Sequence, residues 1–153
     1  MAVIKIKWEG NMNFRGYDSE NREVLMDAAE IYGGLNNGIR PMQLMLISLG
    51  GCTAIEVGNV LNKMRVSYEE FKVEVQGDRA DTIPKVFTRI KVKYIIKSGD
   101  VTPEKLTRAI KLGGEYCSAA NMLKQACPVV YEYELNGTVY KYQEKQESSG
   151  TAG

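Results

Sequence analysis

The sequence predicts an α+β protein, and three observations carry that prediction. Apolar and polar residues alternate with period two at both ends and in the middle of the chain. One long, mostly apolar segment opens on Pro41, and no regular strand-helix-strand repeat joins the pieces, which argues against a doubly wound parallel sheet.

Taken in order, Val3 to Trp8 alternates cleanly, Asn11 to Arg15 follows across Gly10-Asn11, and the two form a hairpin. A third strand, about Glu23 to Met26, follows the polar turn Asp18-Ser19-Glu20-Asn21. The stretch Tyr32 to Gly38 is a loop of Gly and Asn, residues that tolerate unusual backbone angles. Pro41 then suits the first turn of a helix, where its missing N–H would be unpaired anyway, and the apolar pattern runs to about Met64. Leu44, Leu46, Ile47, Leu49, Ile55, Val57 and Leu61 lie on nearly every side of it, so the pattern predicts a helix enclosed by protein. Gly50, Gly51 and Gly58 weaken such a helix and mark places where another backbone or a ligand approaches.

Phe71 to Val75 and Val86 to Ile96 are the clearest strands and are expected to pair antiparallel. Thr102-Pro103-Glu104 supplies a cap, a first-turn proline and an acidic first-turn residue for a helix that stops at Gly113-Gly114. A second short helix runs from about Cys117 to Ala126, and Pro128 ends it. Val130 to Tyr142 reads as a hairpin on the Asn136-Gly137 turn. The reading is a single domain over residues 1–143, with a polar, Ser/Gly-rich tail over 144–153 expected to be disordered.

With 153 residues, a net charge of +1 and 25% charged residues, the chain offers no electrostatic footprint for nucleic acid. The first residues form no basic stub with an apolar block, so no signal peptide is expected and the location reads as cytoplasmic. The apolar stretch of residues 44–60 is interrupted by Ser48, Thr53, Glu56, Asn59 and three glycines, too polar for a lipid-facing span, so no membrane partner is expected. There is no histidine, which removes the usual proton handler and the commonest metal ligand. Three scattered cysteines without Cys-x-x-Cys spacing give zinc no ligand set, and neither metal nor cofactor is expected.

Chemistry therefore falls to the thiols. Cys52 follows Gly50-Gly51 within the long helix, and Cys117 stands where a helix begins, so backbone N–H groups should favour its thiolate. Cys127, before Pro128, reads as a packing residue. The two contexts, Gly50-Gly51-Cys52 and Tyr116-Cys117-Ser118, resemble those of the OsmC/Ohr superfamily of thiol-dependent hydroperoxide reductases, nearest its YhfA-like branch. Val24-Leu25-Met26-Asp27 and Pro84 to Ile90 support the resemblance, which spans residues 3–142.

The resemblance implies an OsmC-like fold, with antiparallel sheets around a long buried helix plus two shorter helices, in an intertwined homodimer. It also implies a peroxidase cycle with a small-molecule hydroperoxide as substrate and a dithiol as reductant. Cys52 is then the attacking thiol and Cys117 the resolving one, although the helix N-terminus favours Cys117 as the more acidic. Active relatives support the attacking thiol with an arginine and a glutamate. Here the two positions where that carboxylate stands are Met42 and Gln43. Arg40 is the first candidate arginine and Arg15 the next, and Glu56, four residues after Cys52, is a candidate replacement carboxylate. The missing glutamate keeps a second reading open: a weakly active or inactive member that binds a small apolar ligand or serves as a redox-sensitive interaction module.

Overall fold

The computed structural model describes residues 2–142; the predicted tail over 144–153 lies outside them. The order of elements is the expected one: three strands, a long helix, two strands, two helices and two strands. The described chain divides into a unit ending at Ile47 and a unit beginning at Ser48.

In the N-terminal unit, β1 (Lys5–Gly10), β2 (Asn13–Tyr17) and β3 (Glu23–Met26) form an antiparallel sheet in the order β1-β2-β3. The turn expected at Gly10-Asn11 is there, with φ of 111° and 46°, left-handed values suited to Gly and Asn. After β3 the chain folds over Asp27. One carboxylate oxygen of this buried residue accepts the backbone N–H groups of Leu35 (2.9 Å) and Asn37 (3.1 Å). Gly34 lies so close beneath that a Cβ would stand 1.9 Å from the Ala28 carbonyl oxygen, so only glycine fits. Burial works against the charge on Asp27, yet the N–H groups of Asn37, Leu35 and Ala28 and the Arg40 cation outweigh it and hold the carboxyl below its ordinary range. Asp27→Ala is expected to speed amide hydrogen exchange at Leu35 and Asn37 at least ~10-fold, because local opening no longer breaks those bonds. Unchanged protection there would refute the anchoring role.

Helix α1 (Pro41–Lys63) begins at Pro41 as expected. By length and composition it is the one helix among the described residues that could cross a membrane. Leu49, Val57 and Leu61 are nonetheless fully buried in protein, which makes it a core helix. Within one chain Met45, Ile47 and Ile55 remain exposed, so a single copy encloses this helix on one side only. The glycines divide the same way. A Cβ on Gly50 would meet Val75 at 3.0 Å, whereas one on Gly51 would meet nothing within 4 Å.

The second sheet has the order β4-β5-β6-β7, with β4 (Glu70–Arg79) and β5 (Phe87–Lys97) antiparallel as predicted. β5 and β6 (Val129–Leu135) run parallel, so this sheet is mixed rather than antiparallel throughout. The cause is the connection: α2 (Pro103–Tyr116) and α3 (Ser118–Leu123) carry the chain back before β6 begins, as a parallel crossover requires. β7 (Thr138–Tyr142) closes a hairpin on Asn136-Gly137, both with positive φ. Helix α2 starts on the Thr102 cap, whose hydroxyl accepts the Lys105 N–H at 3.3 Å. It continues through Gly113-Gly114 instead of stopping there. A Cβ on Gly113 would press to 2.7 Å from Val57 Cγ2, so this glycine is a contact point between α2 and α1 rather than a helix end.

Candidate active site

Two elements bring the thiols together. Cys52 is half-buried on α1, and Cys117 is fully buried at the cap of α3. Cys52 lies near enough to Cys117 to perturb its ionisation, and neither sulfur is in a disulfide. Cys117 has an extended backbone, φ −69° and ψ 109°, and its Sγ accepts the Ala120 N–H at 3.4 Å as a helix cap. Asn121 fastens the same junction from the other side, donating from its side-chain amide to the carbonyls of Glu115 and Cys117, each at 2.9 Å.

The helix N-terminus does not win at Cys117. Burial pushes its thiol up to about 11, the Ala120 N–H opposes that, and the neighbouring Cys52 raises it further. A six-residue helix supplies too little field to offset loss of water around the sulfur, so Cys117 is held as the neutral thiol. The thiolate expected from its sequence position is therefore not favoured.

The supporting residues are distributed differently. Arg40 is tied into the N-terminal unit: its guanidinium donates to the carbonyls of Asp27 (3.2 Å) and Gly38 (3.1 Å) and to the Asn36 side chain. Gln43 turns back to accept the Arg40 N–H at 3.1 Å, the acceptor half of a capping box. Gln43 thus caps the helix that carries Cys52. Arg15 pairs with Glu23 at 2.6 Å and with Glu9 at 3.8 Å. Glu56, one turn after Cys52, is half-buried and makes no hydrogen bond or ion pair among the described residues. Cys127 is buried just before β6. No cluster of His, Cys, Asp and Glu suited to a metal occurs among the described residues.

Two site residues were missed in the sequence. Thr53, next to Cys52, and Tyr94 on β5 are both fully buried and share a hydrogen bond between their hydroxyls. The available signal was a hydroxyl residue adjoining the candidate thiol and a Tyr on the inward face of the best strand.

The OsmC-like protein profile matches residues 34–132, a span that holds both thiols and the elements bearing them. This chain belongs to the OsmC-like family. It is 31% identical over 135 residues to Protein YhfA of Escherichia coli strain K12, covering 86% of this chain and 96% of that one, which places it in the YhfA-like branch. The fold is similar to that of a hypothetical protein from Aquifex aeolicus, with TM-score 0.77, 27% identity and coverage of 94% and 98% of the two chains. A Legionella pneumophila organic hydroperoxide resistance protein has the same OsmC-like fold, with TM-score 0.67, 16% identity and coverage of 88% and 96%.

Proposed function

We propose that this OsmC-like chain reduces organic hydroperoxides through Cys52 and Cys117, as a cytoplasmic homodimer recharged by a dithiol. The observation that carries the reading is the thiol pair itself. Cys52 is half-buried, Cys117 is buried as a thiol, and Cys52 is near enough to influence the ionisation of Cys117. Kinship with hydroperoxide resistance proteins supports the same chemistry.

The cycle balances in three steps. The Cys52 sulfur attacks one peroxide oxygen, the O–O bond breaks, and the alkoxide takes a proton and leaves as an alcohol, with Cys52 now a sulfenic acid. Cys117 displaces water from that sulfenic acid to give the Cys52–Cys117 disulfide. An external dithiol then reduces the disulfide and becomes oxidised. Cys117 enters only at the second step, where its own proton leaves with the departing water, so a buried resolving thiol does not obstruct the first attack. Glu56, one turn after Cys52, would assist at the attacking thiol, and Gln43 would hold the first turn of α1.

A second reading has its own observation. The N-terminal unit contains an apolar hollow of about 420 Å³ lined by Ile6, Met12, Phe14 and Met26, room for a small apolar ligand without turnover.

One experiment separates them. Free thiols are titrated before and after a stoichiometric pulse of an alkyl hydroperoxide, in the wild type, Cys52→Ser and Cys117→Ser. The peroxidase loses two thiols in the wild type and none in Cys52→Ser. Cys117→Ser holds a sulfenic acid that a dione reagent traps. Survival of both thiols in the wild type would end the peroxidase reading and leave the ligand-binding one.

A further inference from the structure

We infer that Tyr94 is a positioning residue for the thiol pair: its hydroxyl grips Thr53, and through Thr53 it holds the turn of α1 that presents Cys52 to Cys117. The inference rests on the thiol-pair chemistry proposed above, and it concerns residues that touch neither peroxide nor reductant.

Successive residues of an α-helix point about 100° apart, so on one turn Thr53 is directed into the core while Cys52 stands at its edge. The surroundings are apolar: Leu49 and Val57 on α1 and Val92 on β5 are all fully buried. Two hydroxyls carry a desolvation cost in such a place unless they bond each other, which Thr53 and Tyr94 do. An aliphatic pair would fill this space without directional demand. The hydroxyl pair holds only at one rotation of α1 against β5, and that rotation also sets where Cys52 points.

Tyr94 itself is a firm anchor. β5 is an inner strand, between β4 and β6. The Tyr94 ring stacks on Tyr131 at 6.3 Å with 16° between planes and tilts against Phe71 at 6.4 Å. Burial and the nearby Cys117 keep the phenol neutral throughout the working pH range, so it remains a hydroxyl. Gly50 lets α1 approach β4 through Val75, and Gly113 lets α2 seat on Val57, so the helix is held on both flanks of this hydrogen bond. A disulfide needs its two Cα atoms about 4.4–6.8 Å apart with a near-perpendicular S–S torsion, a demand that small rotations of α1 can violate.

The test is the equilibrium between the reduced protein and glutathione disulfide, in which two thiols and one glutathione disulfide give the Cys52–Cys117 disulfide and two glutathiones. No peroxide takes part. Tyr94→Phe and Thr53→Val are each expected to lower that equilibrium constant ~10-fold, and the double variant no further than either single one, as coupled residues should behave. Thr53→Ser, which keeps the hydroxyl, restores the constant to within ~2-fold of wild type. Ile96→Val, a core change elsewhere on β5, lowers the melting temperature and leaves the constant alone. The inference is overturned if Tyr94→Phe lowers only the melting temperature, or if the wild-type pair forms no disulfide in these buffers. A wild type that ignores hydroperoxide but shows the Tyr94→Phe effect would end the peroxidase reading and keep the positioning role. Normal peroxide reduction with no Tyr94→Phe effect would do the reverse.

Discussion

At pH 8, limiting iodoacetamide is expected to label Cys52 at least ~10 times faster than Cys117, read by peptide mapping, because alkylation needs an accessible thiolate. Cys117 lacks both requirements. It is fully buried, and a thiol that ionises at about 11 instead of 9.0 holds ~100-fold less thiolate at pH 8. Its labelling should climb steeply as the pH rises toward 11. The same property acts on stability. The folded pKa lies above the unfolded one, so between pH 9 and 11 the unfolded chain has released a proton that the folded chain keeps. Folding stability from this group is therefore complete below pH 9 and is lost as the pH rises through that window. Faster labelling of Cys117 than of Cys52 at pH 8 would reverse the roles assigned to the two sulfurs.

Why Cys117 misleads in the sequence, while the elements around it do not, follows from the range of the forces involved. Period-two alternation and the Asn136-Gly137 turn are local signals, and β4 through β7 appear where those signals stand. Pro41 and Thr102 are equally local, and both helices begin there. Gly113 fails as a stop signal because its role is set by Val57, distant in sequence and 2.7 Å from where a Cβ would be. The parallel pairing of β5 with β6 is likewise a product of the α2-α3 crossover. Cys117 combines both cases. Its position as a helix cap is readable locally, but its acidity is decided by burial and by Cys52, contributed from elsewhere in the chain. Thr53 and Tyr94, 41 positions apart, share a bond that no local pattern announces.

The largest effect on assembly is expected from Ile55→Glu, which should turn the proposed homodimer into a monomer by sedimentation at micromolar concentration. On α1, Ile47, Gly51 and Ile55 recur at four-residue spacing, so they form one stripe along the helix. Ile47 is 54% exposed and Ile55 65% exposed, and Gly51 between them leaves open space where a Cβ would stand. A long helix with a buried face and a second, apolar, uncovered face is built to receive another surface, and an open glycine allows close approach. An unpaired carboxylate forced into such an interface costs several kcal/mol, and each ~1.4 kcal/mol weakens dimerisation tenfold. Ile83→Glu is the control, since Ile83 is 90% exposed outside the helices and should leave the dimer intact. The stripe also bears on the chemistry. Cys52 stands three residues before Ile55 on α1, a neighbouring position on the helix surface, so a partner seated on Ile55 would shield the half-open thiol. Iodoacetamide should therefore reach Cys52 faster in monomeric Ile55→Glu than in the proposed wild-type dimer. A wild type that sediments as a 17.1 kDa monomer would refute the proposed homodimer, and an Ile55→Glu variant that stays dimeric would place the assembly surface elsewhere.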